Sequence, residues 1–256
     1  RTTFLVVTVS NGPANVYLDT RSLGVFCVAE PECRRGILPG TYKVIIEREG
    51  HEKVRVGGFD VDGVLRGKYM SREKLASAIF NGFGFCDVIF GWDIGDRLYD
   101  NATVTGWHTG YPDILARVDL DTMRFIPWEP DTAAFLVDFY TPAGEPHPAC
   151  PRNTLKRVLD RLAKAGYRAK VAAEYEYFFF RETPQSLRQK NFRGLEPLTP
   201  GMFGYSWLRS GTQSALVHEI LDSLKAFDIE IESMHTEAGP GVYESAIAYD
   251  DALRAA

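Results

Sequence analysis

Acidic residues at alternate positions inside aromatic, strand-like sequence restrict how this chain can fold. Glu174 and Glu176 alternate within Tyr167–Phe180, a run that predicts one long strand. In a strand, side chains at i and i+2 project to the same face. Two adjacent carboxylates repel, and burying either without a partner costs several kcal/mol. A hard divalent cation resolves the conflict because it takes oxygen ligands.

A second acidic stretch repeats this spacing. We predict strands at Ile229–Glu237 and Val242–Tyr249, joined by a turn of Gly, Pro and Gly. Such a hairpin places Glu237 and Glu244 close together, and near Glu176 if the three strands are neighbours in one sheet.

Two explanations of these residues stay open on this pattern alone. A single Glu-x-Glu in a strand usually faces solvent, because glutamate is rarely buried. His235, two residues before Glu237, is by itself more often a structural histidine than a ligand. Several acidic clusters in aromatic surroundings raise the case for a metal site without excluding a solvated face.

The remaining periodicity predicts an α+β fold. Two amphipathic helices, Arg152–Ala165 and Ser210–Phe227, alternate with strands. An earlier helix begins at Ser71, an N-cap residue, and ends at Gly82. Further strands are predicted at Val54–Val61, Cys86–Phe90, Met123–Pro127 and Ala133–Phe139, and irregular loops at 100–110 and 181–208.

We expect three segments: a β-rich N-terminal segment of residues 1–51, a compact domain at 52–145, and a second domain at 146–256. Short strands in the first segment are predicted at Phe4–Val9, Asn15–Asp19, Gly24–Val28 and Thr41–Glu47. The chain begins with Arg1, and its last predicted helix, Asp250–Ala256, has no stop signal, so we expect the sequence to continue at both ends.

Composition excludes several classes of protein. The 256 residues are 45% hydrophobic and 25% charged, with a net charge of −5, which argues against nucleic-acid binding. No apolar run of membrane-spanning length and no signal peptide is found, so a cytoplasmic protein is expected. The four cysteines form no CxxC motif and are expected to be reduced, although Cys27 and Cys33 could pair in an oxidising compartment.

Several motifs together resemble the N-terminal half of the glutamine synthetase family, in its type I or lengsin-like branch. Val171–Phe178 is similar to the family's E-x-E-F strand, and His235–Glu244 to its H-x-E-x-x-P-G-Q-x-E hairpin. Phe59–Lys68 resembles its first β-grasp strand and turn. Phe125–Trp128 and Pro151-Arg152 lie in the family's order. The resemblance covers roughly residues 52–256.

The resemblance implies a β-grasp domain followed by the start of a catalytic domain with an antiparallel sheet and helices. It implies ring-shaped homo-oligomers with active sites between subunits. Carried over residue by residue, Glu176, Glu237 and Glu244 match the ligands of a first metal ion facing glutamate. Glu174 matches one ligand of a second ion facing the ATP phosphates. The expected ions are Mg²⁺ or Mn²⁺.

The resemblance also implies the chemistry. Glutamate's γ-carboxylate attacks the γ-phosphate of ATP, and ammonia or an amine then attacks the γ-glutamyl phosphate. Glu232 and Tyr249 fall where the family contacts ATP. Asp87 is the nearest candidate for an aspartate that a neighbouring subunit supplies to the ammonium site and that helps remove a proton.

Three departures weaken this transfer. The Gly-Ser-Ser expected beside Asp87 is absent, and Val242 replaces the usual Gln of the hairpin. The family's N-G-x-G-x-H segment, a later glutamate and its phosphate-binding arginines would lie beyond Ala256, so residues 1–256 alone are expected to be inactive. Alternatives to an active ligase are a non-catalytic, lengsin-like assembly protein and a metal-binding β-rich domain without a ligase role.

Overall fold

A computed structural model describes residues 53–256 in full, and from residues 1–52 only the backbone of five strands. The chain divides into two units, 1–52 and 53–256. The strands of the first unit are β1 Thr3–Thr8, β2 Ala14–Leu18, β3 Cys27–Ala29, β4 Glu32–Ile37 and β5 Val44–Glu47. Strand β1 pairs antiparallel with β4, and β2 lies between β3 and β5. The cysteine pairing considered for this unit concerns side chains outside the described residues.

The second unit begins with a mixed five-stranded sheet. Its strands are β6 Lys53–Phe59, β7 Leu65–Ser71, β8 Phe83–Cys86, β9 Asp113–Phe125 and β10 Thr132–Tyr140. Their order is β7-β6-β10-β9-β8, with β6 and β10 parallel and the other neighbours antiparallel. The central strand β10 is the most buried of the five, and the helix at Pro151–Lys164 packs against it.

Helix α1, Arg72–Asn81, begins and ends at the residues that the sequence predicts. The side chain of Ser71 accepts a hydrogen bond from the backbone N–H of Lys74 at 3.2 Å. Gly82, at φ 66°, ends the helix and donates its N–H to the carbonyl of Ala78. Its ψ of −169° combines with this positive φ in a region of backbone space that is open almost only to glycine, which explains the residue.

The main apolar core lies against the five-stranded sheet. Phe139 and Val137 of β10 are fully buried, and the rings of Phe85 and Phe90 meet Phe139 edge-on. Gly58 makes this packing possible, since a Cβ at that position would lie 2.4 Å from the Phe139 ring. The core therefore depends on one close backbone approach as well as on apolar side chains.

Helix α2, Pro151–Lys164, is tied to the sheet by buried ion pairs. Arg152 donates to Asp138 at 3.0 Å and to Asp119 at 2.5 Å. Lys156, one turn later, donates to the same two carboxylates. Asn153 donates to the carbonyl of Phe139 at 2.6 Å, which fixes the first turn of the helix over β10.

The remaining strands form two smaller sheets. The remaining elements are β11 Lys170–Val171, β12 Glu174–Phe178, α3 Pro184–Gln189, α4 Trp207–Thr212, α5 Ser214–Ala226, β13 Ile231–Thr236, β14 Val242–Ile247, β15 Asp250–Asp251 and α6 Ala252–Ala255. In one sheet, β14 lies between β12 and β13, and both pairs are antiparallel. In the other, β11 pairs antiparallel with β15. Among the described residues, none of the helices is long and apolar enough to cross a membrane.

Two strand predictions in the first half of this unit need correction. The segment predicted as a strand at Cys86–Phe90 is instead the end of β8 followed by a 3₁₀ turn at Asp87–Phe90. A short apolar run cannot be assigned to strand or helix by period alone. The strand predicted at Met123–Pro127 is in part the end of β9, which begins at Asp113 and ends at Phe125.

Four predictions in the second half need correction. The long strand Tyr167–Phe180 is interrupted, because β11 pairs with β15 and β12 with β14, so the chain changes partners between them. The predicted loop at 181–208 contains α3 and the start of α4. The helix Ser210–Phe227 divides at Gln213 into α4 and α5, and the last predicted helix is only β15 and α6.

Candidate functional site

One row of residues crosses the three-stranded sheet and carries its chemistry. Glu176 on β12 lies opposite Glu244 on β14, and Glu244 lies opposite His235 on β13. Directly paired residues point to the same face of a sheet. The predicted hairpin and the predicted adjacency of β12 are therefore both present.

The closest group in this row is His235, Glu237 and Glu244. The Nδ1 atom of His235 lies 3.6 Å from Oε1 of Glu237, and its Nε2 atom lies 3.5 Å from Oε1 of Glu244. All three side chains are largely buried, at 18%, 19% and 13% exposed respectively. Glu237 follows β13 directly and donates its backbone N–H to the carbonyl of Val242 at 3.0 Å, which fixes its position.

This group fits a divalent cation. One ligand atom from each of the three residues lies within 4.8 Å of the others. Two ligands of one Mg²⁺ ion are at most about 4.2 Å apart, since each Mg–O distance is about 2.1 Å. Small side-chain rotations would therefore bring all three ligand atoms to one ion, and a cation would offset the repulsion between the two carboxylates.

Glu176 and Glu174 extend the same face of β12 but lie outside the close group of three. Both are exposed, and Glu174 pairs with Ala246 instead of an acidic residue. The register places Glu176 beside Glu244, within reach of a shared cation. The individual metal roles expected for these glutamates stay predictions.

Tyr205 was not among the site residues predicted from the sequence; its ring stacks on the imidazole of His235 with centroids 4.2 Å apart. Tyr205 has a φ of 54° and donates its N–H to the carbonyl of Thr236 at 2.7 Å. The hydroxyl of Thr236 donates to the carbonyl of Phe203 at 2.9 Å and accepts from Ser206 N–H at 3.0 Å. We call residues 201–208 the strap. The long loop predicted at 181–208 was a signal of function, but aperiodic sequence does not show which strand it crosses.

The two predicted ATP contacts lie in different surroundings. Glu232 is the extra residue of a β-bulge, where the register between β13 and β14 shifts. The bulge turns Ile231 to one face and Ser233 to the other. Tyr249 is 64% exposed, and the ammonium nitrogen of Lys170 lies 5.3 Å from the centroid of the Tyr249 ring.

The face opposite the carboxylates lines an apolar cavity of about 890 Å³ within the second unit. Tyr175, Tyr177 and Ile247 contribute one wall, and α5 contributes Leu224 and Phe227. Tyr249 lines this cavity and Glu232 does not, so the structure does not bring the two predicted ATP contacts into one pocket.

Asp87 lies away from the carboxylate row, in the 3₁₀ turn after β8. It is 4% exposed, and its Oδ1 atom accepts a hydrogen bond from the hydroxyl of Thr105 at 2.6 Å. Burial lowers the pKa of the nearby His147 below its usual value, and the charge of Asp87 opposes this shift. Its predicted role in a neighbouring subunit's site stays a prediction, and it would require this buried turn to open.

Comparison with known proteins identifies the family to which these motifs belong. The model of the glutamine synthetase catalytic domain matches residues 148–256, which contain the whole carboxylate row. The chain is 49% identical over 203 residues to type-1 glutamine synthetase 2 of Dictyostelium discoideum. The chain belongs to the glutamine synthetase family. The E-x-E strand and the H-x-E hairpin are thus family motifs in a family fold.

Two further relationships extend this result. The chain is 35% identical over 212 residues to the glutamate–isopropylamine ligase of a Pseudomonas species. The solved structure of a GmaS–ADP complex superposes with a TM-score of 0.62 at 23% identity, covering 81% of this chain and 44% of that one, and supports the fold. The two curated relatives are matched over 79% and 82% of this chain but only 39% and 46% of their own length. The chain thus spans less than half of the relatives that it matches.

Proposed function

We propose that this protein takes part in ATP-dependent amide formation between glutamate and ammonia or an amine, through a γ-glutamyl phosphate. The observation that carries this proposal is the row formed by Glu176, Glu244 and His235, with Glu237 beside it. A carboxylate attacking a triphosphate brings negative groups together, and such a reaction requires cationic compensation. Relatives that make glutamine or act on isopropylamine support this reaction class.

Glu176, Glu237, Glu244 and His235 would hold the first Mg²⁺ or Mn²⁺ ion. A bound ion supplies charge neutralisation for the glutamate carboxylate and the phosphoryl oxygens. The protein's own contribution is positional: the paired register fixes three of these side chains on adjacent strands, and the Val242 carbonyl fixes the fourth through the backbone of Glu237.

Other assignments complete the proposal. Glu174 contributes to a second ion near the ATP phosphates, and Glu232 and Tyr249 contact the nucleotide. Asp87 acts on the ammonium group in a neighbouring subunit of a homo-oligomeric ring. Residues 52–145, with the five-stranded sheet and α1, form the β-grasp domain that precedes the catalytic domain. The protein acts in the cytoplasm.

Two sequence departures support an amine as the acceptor. Val242 is 3% exposed and places an apolar side chain in the hairpin where a glutamine is usual. The Gly-Ser-Ser beside Asp87 is also absent. Both changes lower the polarity of positions that serve classical glutamine synthesis, so an amine is the preferred acceptor in this proposal and ammonia the alternative.

ADP release by the full-length protein tests the proposal. We expect release that requires glutamate, a divalent cation and an acceptor, with isopropylamine giving a faster rate than ammonia. Glu237→Gln should reduce the rate at least about a hundredfold, as expected for the loss of a charge at the reacting centre. Glu219→Gln, an exposed change on α5, is the matched control. ADP release that is independent of glutamate, or unchanged by Glu237→Gln, would contradict the proposal.

A further inference from the structure

The apolar cavity behind the three-stranded sheet is large enough to hold a small molecule. Its volume of about 890 Å³ is within the range of pockets that bind drug-sized ligands. The five-stranded sheet contributes Ala134 and Leu136 to its lining, the three-stranded sheet contributes Tyr177 and Ile247, and α5 contributes Leu224. All of these residues belong to the second unit. The lining therefore offers aliphatic and aromatic surface to a ligand with an apolar body.

Most polar side chains that line the cavity are already satisfied. The hydroxyls of Tyr177 and Ser245 are 2.5 Å apart and form a hydrogen bond with each other. Glu230 is exposed, so water can solvate its carboxylate. Two of the lining arginines are in ion pairs: Arg55 with Glu129 at 2.5 Å, and Arg254 with Asp250 at 2.8 Å. These groups leave little polar demand for a ligand to meet.

Arg124 on β9 is the exception. Its Nε atom is shielded from solvent and has no hydrogen-bond partner among the described residues. Its Nη1 atom donates to the carbonyl of Thr122 at 3.4 Å, a long hydrogen bond. Buried polar groups in native proteins nearly always have a partner, and a charged group needs one most. An unpaired guanidinium on an apolar cavity therefore indicates a site for an anion.

The surroundings of Arg124 leave room for that anion. Arg124 lies directly opposite Ala134 in the register of β9 and β10, so the two side chains share one face of the sheet. The methyl group of Ala134 is the smallest side chain that this paired position can carry besides hydrogen. The guanidinium carbon lies 5.9 Å from the ring centroid of Phe227, which also lines the cavity.

The combination of apolar walls and one free guanidinium selects the chemical class of the ligand. A guanidinium binds a carboxylate through two parallel N–H···O hydrogen bonds. A small polar anion such as phosphate would leave its other oxygens without partners against the apolar walls. A neutral hydrocarbon would leave Arg124 unpaired. A carboxylic acid with an apolar body satisfies both features.

We propose that this cavity binds a small carboxylic acid with an apolar body, with its carboxylate on Arg124 and its body against Tyr177, Leu224 and Phe227. The site shares no residue with the carboxylate row, because side chains that alternate along β12 and β14 face opposite sides of the sheet. The inference is therefore independent of the proposed ligase reaction and adds a second binding site.

Isothermal titration calorimetry of the full-length protein tests this site with decanoate, octanoate and decanol, each below the concentration at which it forms micelles. Decanoate should bind at one site per chain and about fifteenfold more tightly than octanoate, because two more CH₂ groups are buried. Decanoate that gives no saturable heat would overturn the inference. That is also the result if the rest of the full-length chain fills the cavity.

The variant Arg124→Met tests the role of the guanidinium. It should weaken decanoate binding about thirtyfold, as expected for the loss of a charged hydrogen-bonding partner, and leave decanol binding unchanged. Arg117→Met removes an exposed arginine of the same strand that does not line the cavity, so it should leave both affinities unchanged. Equal weakening of decanoate and decanol in Arg124→Met, or no weakening of decanoate, would contradict the proposed contact.

Fluorescence quenching locates the ligand. Trp128 lines the cavity, and its ring centroid lies 5.5 Å from that of Phe227, so ω-bromodecanoate in the cavity should quench its emission. Trp128→Phe should lose this saturable quenching and retain the heat of binding. Quenching that persists in Trp128→Phe would place the acid elsewhere and overturn the inference. Because both readouts measure binding, a protein that binds decanoate but releases no ADP retains this inference and loses the ligase proposal.

Discussion

The five-stranded sheet and the three-stranded sheet distribute their side chains in opposite ways. The central strand β10 buries Val137 and Phe139 completely, and its one acidic residue, Asp138, is paired with Arg152 and Lys156. On β12, by contrast, Glu176 and Phe178 are exposed, the latter by 61%. The central strand of the first sheet pairs its acidic side chain internally, whereas β12 of the second sheet leaves a carboxylate and an aromatic ring open to other molecules.

This difference separates residues that maintain the fold from residues that bind. Buried charges in the first sheet have partners at hydrogen-bond distance, as a low dielectric requires. The carboxylates of Glu237 and Glu244 lie 3.6 and 3.5 Å from the ring nitrogens of His235, and Glu237 also accepts a hydrogen bond from the N–H of Ala238 at 2.8 Å. Among the described residues, neither carboxylate has an ion-pair partner closer than His235. Groups that stay incompletely paired on an ordered sheet are candidates for ligands.

The largest expected effect is on the core of the five-stranded sheet. Phe139→Ala should lower the free energy of unfolding by about 3–5 kcal/mol, because it leaves a cavity between the rings of Phe85 and Phe90. Phe178→Ala, in the three-stranded sheet, should cost much less because its ring is mostly exposed. Urea unfolding of both variants checks the comparison. Equal losses would show that the two sheets do not differ in this way.

The buried ion pairs give the next largest effect. Arg152→Met should cost about 3 kcal/mol, since Asp119 loses its closest partner and Asp138 retains only Lys156. The matched control is Arg168→Met, which removes an exposed ion pair with Asp251 and should give no measurable loss. Thermal unfolding of the two variants distinguishes a buried pair from a solvated one. A similar melting temperature in both would contradict the structural role of the buried network.

Several locally determined elements of the second unit could be predicted from sequence. Alternation identified the hairpin of β13 and β14, and capping rules gave both ends of α1 because Ser71 and Gly82 each have a local physical reason to be there. Helix α2 followed from its apolar face. These features depend on residues within one or two turns of each other.

Features that depend on distant partners could not be predicted. Sequence cannot show that the chain changes partners between Val171 and Glu174, since that break depends on β15 and β14, about seventy to eighty residues later. The inclusion of His235 in the ligand group depends on the register with Glu244. Tyr205 reaches His235 only because Thr236 holds the strap with two of its own groups.

Stabilisation by a metal ion tests whether the carboxylates of the three-stranded sheet, unlike those of the five-stranded sheet, bind a ligand. Saturating Mn²⁺, at about a hundred times its dissociation constant, should stabilise the protein by about 2.7 kcal/mol. Glu244→Gln should remove most of this gain because Glu244 lies between His235 and Glu176 in the row. Glu219→Gln should retain it. If Mn²⁺ raises the melting temperature of Glu244→Gln as much as that of the wild type, the ion does not bind at Glu244.

The smallest expected effect is a pH dependence that arises in the buried region. His147 is 7% exposed, stacks on Phe90 at 4.7 Å, and accepts a hydrogen bond at Nδ1 from the N–H of Ala149. Burial lowers its pKa in the folded state, so the unfolded chain binds a proton first as pH falls. Its contribution to stability is therefore complete above about pH 6.5 and declines below that value.

The variant His147→Asn isolates the contribution of His147 to the pH dependence of stability. It keeps a hydrogen-bond acceptor for Ala149 but cannot titrate, so its melting temperature should fall less than that of the wild type between about pH 7.5 and about pH 5. The loss of stacking on Phe90 lowers stability at both pH values, so the informative quantity is the difference between them. His218→Asn, at an exposed position on α5, should retain the wild-type difference. If His147→Asn also retains this difference in melting temperature, the acid sensitivity arises from other groups. Proton binding then does not distinguish the buried region around His147 from the three-stranded sheet.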